Sequence, residues 1–315
     1  MCRNIFFIFL LLFSVSLSAK EGPAQKETFF DRYHRIITQK YHNFIRKIDT
    51  FLSDTVEIEE HKLDEIIYKN RLETVFSFQY KEHQLKPNLY LRGNILLPRT
   101  SERLELVFSK QTDTRLKNQT IDPSYERGIN DEHVNVGLKY YFMKRKDFAL
   151  YSKLGMRLNL SKFDLYAKVG ARQYLYNSLF RTILSANLYH YVREDGFIAT
   201  GGVDFVREMG ERFTLEQDNR VVWREETDET TTEHILKLYH QLDNRNRLEY
   251  WVSLLTRDDE EWNFCSDTYT AAIKYHHKIN KWLFYDIIPQ LYRQREDHFR
   301  LERAITFNFG ITFAR

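Results

Sequence analysis

Side chains that could form a serine hydrolase site occur in two places in this sequence. Ser185 precedes His190 on one short segment, and His240 precedes Ser253 across two neighbouring segments. A serine nucleophile needs a histidine base within hydrogen-bond reach and a third group that orients the histidine. Neither pair has an evident Asp or Asn for that third role. The sequence therefore does not favour serine hydrolase chemistry.

A run of acidic residues is the second candidate for catalysis. Asp258, Asp259, Glu260 and Glu261 are consecutive, and His298 follows in a later connection. Paired carboxylates near a histidine could activate water in a protease. An acidic loop that faces solvent or divalent cations is the more ordinary explanation of such a run.

Metal and cofactor signatures are absent from the sequence. His276 and His277 are adjacent, and neighbouring residues of a strand point to opposite faces, so this pair does not chelate one metal. The sequence contains no zinc-ligand spacing, phosphate loop or dinucleotide fingerprint. We therefore predict no catalytic residues, no metal, no cofactor and no nucleic-acid partner.

Basic residues recur on one face of four successive short segments. If these segments are adjacent strands, the cations form a wall that raises a positive potential in a narrow lumen and favours anions. Asp164 is the acidic residue that opposes them locally. The predicted basic wall consists of Lys139, Lys153, Arg157, Lys168, Arg172 and Arg181.

Acidic residues occupy the corresponding face of the other segments. The set consists of Glu73, Glu105, Asp204, Glu216, Asp218, Glu249, Asp286 and Glu302. Two interpretations remain open. Either the basic wall lines an anion-favouring channel, or basic and acidic walls form ion pairs that close the interior.

The segments that carry these residues alternate apolar and polar positions from Leu72 onward. The clearest segment is the last, whose small or polar residues separate Ile305, Phe307, Phe309, Ile311 and Phe313. Period-two alternation predicts β-strands with one apolar face. We count about fourteen such segments, within a range of about 12–16. The fold class is therefore all-β.

The composition restricts what kind of β-protein this is. The 315 residues carry a net charge of +3 and include 24 Phe, 20 Tyr and 4 Trp, yet the mean hydropathy is -0.55. Such aromatic content excludes disorder, and no apolar run of about 20 residues follows the first 19 positions, which excludes helical membrane spans. The polar face is rich in Tyr, Gly, Lys and Arg, as in a polar lumen.

Connection lengths predict how the strands are arranged. The longest predicted connections are the third (111–132), ninth (225–233) and eleventh (257–267), whereas the even-numbered ones are short. Bacterial barrels place long loops outside and tight turns on the periplasmic side. This pattern predicts an even number of strands, with both termini in the periplasm.

The first 70 residues form a separate region. Arg3, the apolar run Ile5–Phe13 and small residues up to Ala19 have the layout of a cleaved secretory signal peptide. A transmembrane anchor would need a longer apolar run. We predict a signal peptide at 1–19, a periplasmic helix with an acidic linker at 20–70, and a barrel at 71–315.

A basic amphipathic helix is predicted from Lys26 to Leu52. Its apolar residues follow helical spacing, with His34 completing the stripe: Phe30, Ile37, Tyr41, Phe44, Ile48 and Phe51. This helix could lie on an anionic surface, plug the lumen, pair with another helix, or pack on the chain's own barrel.

The signal peptide, the alternating segments and the aromatic final strand together resemble bacterial outer-membrane β-barrel proteins of the porin-like class, over residues 71–315. The resemblance implies an antiparallel up-and-down transmembrane barrel in a Gram-negative outer membrane. It also implies lipid contact and recognition of the last strand by the barrel-assembly machinery, although Ala314 and Arg315 follow Phe313.

Three functions are compatible with this class. The first is a passive channel for small solutes, with slight anion preference because of the basic wall. The second is an outer-membrane enzyme that hydrolyses lipid or peptide at the outer rim. The third is a structural or assembly barrel whose N-terminal helix binds a periplasmic partner.

Overall fold

A computed structural model describes residues 29–52, 71–81, 84–97, 103–111, 133–158, 163–193, 196–259 and 263–313. The predicted signal peptide, the acidic linker at 53–70 and most of the third connection lie outside the described residues. So do Glu260 and Glu261. The domain boundaries predicted from the sequence stay predictions.

Fourteen antiparallel strands form a closed barrel in which each strand pairs with its sequence neighbours and β1 pairs with β14. This confirms the predicted fold class and strand number. The strands are β1 (Arg71–Lys81), β2 (Gln84–Leu97), β3 (Leu104–Gln111), β4 (His133–Lys144), β5 (Phe148–Leu158), β6 (Phe163–Tyr176), β7 (Arg181–Tyr191), β8 (Phe197–Met209), β9 (Phe213–Arg224), β10 (Glu229–Gln241), β11 (Asn246–Asp259), β12 (Asn263–Lys278), β13 (Leu283–Gln294) and β14 (Glu302–Phe313).

Closure between β1 and β14 aligns the apolar faces of the two strands. Phe307 lies opposite Phe78, and Phe313 lies opposite Leu72, all on the outward face. Ile305, Phe309 and Ile311 share that face with them. Backbone groups in hydrocarbon must be paired within the protein, so a closed sheet is the form in which strands can cross a bilayer.

The outer surface of the barrel is an apolar belt. Leu154, Val169 and Val252 are exposed on it although they are large apolar side chains. Aromatic residues flank the belt, as on β9, where Phe213 and Trp223 lie near opposite ends of one outward face. A continuous exposed apolar surface bordered by aromatic residues is typical of a transmembrane barrel.

Two predicted long connections are wrong. β9 ends at Arg224 and β10 begins at Glu229, so most of 225–233 is strand. Likewise β11 extends to Asp259 and β12 begins at Asn263, which shortens the predicted 257–267 connection. The strand pairing continues past the apolar belt, where polar side chains form hydrogen bonds between neighbouring strands. Because these strand ends are polar, their sequence resembles that of a loop. One such bond joins the Thr232 and Thr256 hydroxyls, 2.6 Å apart.

Three tight turns lie at the barrel end that carries both chain termini, and each uses a side-chain oxygen to hold the backbone. Asn280 Oδ1 accepts hydrogen bonds from the backbone N–H groups of Trp282 (3.0 Å) and Leu283 (2.8 Å). Equivalent bonds involve Asn177 and Asp243. Asn and Asp favour turns because their side chains replace missing backbone partners in this way.

The turn at Asp243 should lose protection as the pH falls. Hydrogen bonds from the Asn246 side chain and from the Arg245 backbone N–H hold the pKa of the Asp243 carboxyl below its usual value. A lowered folded-state pKa gives stability that is present above the unfolded pKa of about 4 and is lost below it. We expect hydrogen-exchange protection of the Arg245 and Asn246 amides to fall in that range. Asp243→Asn, which does not titrate, should abolish this pH dependence.

An amphipathic helix, α1 (Phe29–Leu52), packs on the outside of the barrel. Tyr41 and Ile45 form a buried cluster with Ile95 of β2, and outward-facing residues of β1, β3 and β4 pack against that cluster. The described helix therefore packs on the chain's own barrel and does not plug the lumen. Among the described residues, no helix combines the length and apolarity needed to cross a bilayer.

The predicted apolar stripe of α1 is partly wrong. Ile37 and Phe44, assigned to that stripe, are exposed, whereas Tyr41 and Ile45 are buried. The contact stripe is thus rotated by about one residue relative to the prediction. His34 keeps its predicted place, because its ring stacks on Trp282 with centroids 4.5 Å apart. Ile45, outside the predicted stripe, takes the buried position against Ile95.

Candidate functional site

The inward face of the barrel brings most of the predicted basic wall together. Strand register places Lys139 of β4 opposite Lys153 of β5, and Lys153 opposite Lys168 of β6. Lys153 and Lys168 are only 4% and 2% exposed. Three cations thus lie side by side across neighbouring strands. Arg157 and Arg172 share this face, and Arg181 lies on it by register but is exposed at the first residue of β7.

Tyrosine rings separate the cations of the basic wall. Lys139 Nζ lies 4.1 Å from the ring centre of Tyr151, and Lys168 Nζ lies 4.6 Å from that of Tyr189. Cation–π contacts stabilise a partly desolvated cation without neutralising its charge. The same arrangement pairs Lys153 with Tyr166 at 5.2 Å and Arg157 with Tyr191 at 4.2 Å.

A glycine allows one of these tyrosine rings to lie flat on the sheet. A Cβ atom at Gly155 would lie 2.6 Å from the ring of Tyr166, which is too close for any side chain. Glycine in a strand interior often marks such a close approach. The glycines on the polar face of the strands thus position the tyrosines that contact the cations.

Two carboxylates lie beside the basic wall. Glu105 Oε2 is 3.8 Å from Lys139 Nζ and accepts a hydrogen bond of 2.9 Å from the Tyr141 hydroxyl. Asp164 Oδ2 is 3.1 Å from the Arg157 guanidinium. The sequence identified Asp164 as the local opponent of the wall, and the register adds Glu105.

Five of the predicted acidic residues lie on β8 to β13, away from the basic wall, and most of them have a cation nearby. Asp204 of β8 lies opposite Asp218 of β9. Lys237 of β10 reaches Glu216 at 3.4 Å and also pairs with Asp218. The side chains of Lys237, Glu216 and Asp218 are all buried. A buried carboxylate needs such a partner because desolvation is costly.

A second group of ion pairs spans β11 to β13. Lys274 Nζ lies 3.7 Å from both Glu249 and Asp286. Arg247 also pairs with Glu249, and His276 Nδ1 lies 2.7 Å from Asp286 Oδ1. The carboxylates of β9 to β13 therefore pair with basic residues of the same strands and not with the basic wall.

An apolar cluster inside the barrel was missed from the sequence. Ile235, Trp251, Ala272 and Ile288 are buried together on inward-facing positions of β10 to β13. The signal in the sequence was the pairs of consecutive apolar residues, such as Ile235 with Leu236, which make both faces of a strand apolar. This cluster narrows the lumen beside the ion pairs.

The candidate hydrolase pairs are not brought together. Ser185 faces inward opposite Arg172, whereas His190 is exposed and its ring lies tilted against that of Phe197 on the outer surface. Ser253 is buried, whereas His240 stacks on Phe213. The sheet separates each serine from its histidine.

The acidic and histidine candidates lie on different elements. Asp258 and Asp259 are strand residues of β11, and His298 lies in a turn after a short 3-10 segment at Arg295–Asp297. His276 faces Asp286, whereas His277 Nδ1 lies 2.7 Å from Asn246 Oδ1. Within the described ranges, no group of three or more His, Cys, Asp or Glu side chains could hold a metal ion.

A polar patch on the lipid-facing side was not anticipated. Asn219 Oδ1 lies 2.9 Å from His234 Nδ1 and accepts a 3.3 Å hydrogen bond from Gln217. Asn219 Nδ2 donates to the Val203 carbonyl at 3.1 Å. These bonds lower the cost of placing polar groups in the apolar belt.

No protein-family model and no curated protein sequence matches this chain. Solved structures similar to it are outer-membrane β-barrel proteins. A loop-deletion mutant of OmpT from Vibrio cholerae has 9% identity and a TM-score of 0.46, with coverage of 78% of this chain and 98% of that one. The KdgM porin has 7% identity and a TM-score of 0.35, with coverage of 76% and 98%.

The outer membrane channel DcaP of Acinetobacter baumannii has 10% identity and a TM-score of 0.43, with coverage of 78% of this chain and 96% of that one. At these values the likeness concerns the barrel architecture, and no narrower family is assigned. The function must therefore be inferred from the residues that line the lumen.

Proposed function

We propose that the protein is a passive outer-membrane channel for small polar solutes, with a slight preference for anions. The observation that supports this most is the unequal division of charge in the lumen. Lys139, Lys153 and Lys168 lie side by side on β4 to β6. The carboxylates of β8 to β13 lie elsewhere on the barrel wall.

The pairing of the acidic wall supports a positive lumen. Lys237 accompanies Glu216 and Asp218, and Lys274 accompanies Glu249 and Asp286. Because these carboxylates have nearby cations, their fields fall off quickly. The cations of the basic wall also lie against tyrosine rings, which stabilise a cation without cancelling its charge. A low-dielectric wall then focuses the positive potential into the lumen.

The packing of the lumen favours small solutes. Lys153 and Lys168 are nearly inaccessible to solvent, and Trp251 is buried on the inward face of β11. Such inward packing leaves less room than fourteen strands would enclose if their side chains were short. The signal peptide, the Gram-negative location and recognition of β14 by the barrel-assembly machinery stay predictions from the sequence.

Planar-bilayer recording of the full-length, refolded protein tests the proposed channel. Under a KCl gradient we expect discrete conductance steps. The reversal potential should be shifted from zero toward the equilibrium potential of chloride. A protein that inserts but conducts no current would overturn the channel, and a cation-selective pore would overturn the anion preference.

The basic wall should set the selectivity. Lys153→Met combined with Lys168→Met removes two cations without adding buried charge, and should lower the chloride-to-potassium permeability ratio at least about threefold, because the local potential amounts to several kT. The matched control is Lys281→Met, which removes one exposed lysine from a turn at the end that carries the termini. An unchanged ratio in the double variant, with normal insertion, would contradict this role.

A further inference from the structure

The outer wall of the barrel carries a helix at the end where both termini lie. His34 of α1 stacks on Trp282, and its Nε2 lies 2.9 Å from the carbonyl oxygen of Thr312. Ile45 packs on Ile95, close to the end of β2. The helix therefore crosses the outside of the sheet from the β13–β14 region past the β1–β14 seam to β2.

This end of the barrel meets the inner leaflet of the outer membrane in the orientation expected for the class. The described turns there are short, whereas β3 ends and β4 begins at the opposite end, with residues 112–132 between them in the sequence. Barrels of this class have short periplasmic turns and longer extracellular loops. The helix therefore lies where the apolar belt meets the periplasmic headgroups.

One flank of α1 is an apolar stripe that the barrel does not cover. Tyr33, Ile37 and Phe44 are 51%, 44% and 54% exposed. Their spacing of four and seven residues, with Lys40 between Ile37 and Phe44, puts them on one side of the helix. The stripe borders the barrel contact formed by Tyr41 and Ile45. Large apolar side chains in such a row are poorly suited to water.

The exposed surface of α1 also carries several basic residues, and Lys40 lies within the apolar stripe itself. Arg32, Lys40 and Lys47 are exposed, and Arg35 and Arg46 lie on the flank opposite the apolar stripe. Asp31 is the acidic residue in the first turn. Helices with an apolar flank and a Lys- and Arg-rich face lie in the interfacial plane and are attracted to anionic lipids.

We propose that α1 is an interfacial anchor embedded in the periplasmic leaflet. Tyr33, Ile37 and Phe44 insert among acyl chains, and Lys40 and Lys47 contact the phosphates of anionic phospholipids. Docking through His34 and the Tyr41–Ile45 cluster fixes the depth and direction of the helix. The anchor also covers the β1–β14 seam, where the ladder closes. This proposal is independent of whether the lumen conducts.

Depth-dependent quenching tests which flank enters lipid. In a full-length background with Cys2→Ser and Cys265→Ser, Phe44→Cys and Asn43→Cys each receive a fluorescent label. Both positions are exposed, but they lie on different sides of the helix. In vesicles of phosphatidylethanolamine and phosphatidylglycerol, we expect brominated acyl chains to quench the label at 44 and iodide on both sides of the membrane to quench the label at 43.

Equal iodide access at both positions would overturn insertion and would indicate a surface for another protein. Lipid selectivity is tested by the association of spin-labelled phosphatidylglycerol relative to phosphatidylcholine. Lys40→Glu with Lys47→Glu should lower this ratio at least about fivefold, because each cation near a membrane surface contributes about 1 kcal/mol.

The matched control reverses two exposed arginines at the opposite end of the barrel, Arg293→Glu and Arg303→Glu. It should leave the phosphatidylglycerol ratio unchanged. If the lysine variant keeps the wild-type ratio, or the control lowers it equally, the assignment of anionic lipid to this helix is wrong. Proper folding of each variant is checked by heat-modifiable migration on gels.

Discussion

Lys237→Met should destabilise the folded barrel by about 3–5 kcal/mol, because it leaves two carboxylates buried without their cation. Lys237 is 3% exposed and Asp218 is 1% exposed, and Glu216 completes the group. Methionine preserves most of the side-chain volume, so the loss comes from charge and not from a cavity. The measurement is the urea midpoint of the refolded protein in detergent micelles.

Removing the orphaned charges should restore much of that stability. Lys237→Met combined with Glu216→Gln and Asp218→Asn removes all three charges of this group and leaves polar or neutral side chains of similar size in their place. An exposed control, Lys281→Met, should change the free energy of unfolding by less than about 0.5 kcal/mol. A Lys237→Met protein that unfolds at the wild-type urea midpoint would show that the salt bridges of Lys237 do not stabilise the folded barrel.

Gly310→Ala should destabilise the barrel by about 1–3 kcal/mol through overpacking. Gly310 of β14 lies opposite Phe284 of β13 on the inward face, and a Cβ atom at Gly310 would overlap the Phe284 ring. Phe284 is buried, so the ring has little room to move aside. The effect is measured by urea unfolding in micelles.

A double-mutant cycle identifies the cause of this loss. In a Phe284→Leu background the smaller side chain makes room for the methyl group, so Gly310→Ala should cost much less than in the wild type. If Gly310→Ala costs the same in both backgrounds, the loss arises from the backbone of β14 and not from the ring.

The predicted faces of individual strands agree with the structure because they depend only on local alternation. Side chains alternate across a strand, so Phe307 and Phe313 could be assigned to one face without knowledge of their partners. The same rule placed Lys153 and Lys168 on the opposite face. Strand ends were harder to predict, since the polar residues that continue β10 and β11 beyond the apolar belt resemble loops.

The composition of the candidate site followed from the sequence, whereas its pairing did not. Inward-facing Lys153 and Asp286 were predicted as members of a basic and an acidic wall. That Lys237 and Lys274 lie among the acidic residues depends on register across β9 to β13. Alternation within one strand carries no information about the neighbouring strand's offset, and a shift by one residue reverses every face.

The sequence by itself determined an all-β chain of about fourteen alternating strands with an apolar and a charged face, and a basic amphipathic helix before them. Only the tertiary structure decided that the helix packs outside the barrel, that Ile45 joins Tyr41 against the sheet, and that Ile235 and Trp251 lie within the lumen. The physical reason is that periodicity is a property of neighbouring residues. Helix docking and strand register depend on contacts between residues far apart in the chain. Closure of the barrel fixes the registers of all strands together, so local alternation cannot predict them.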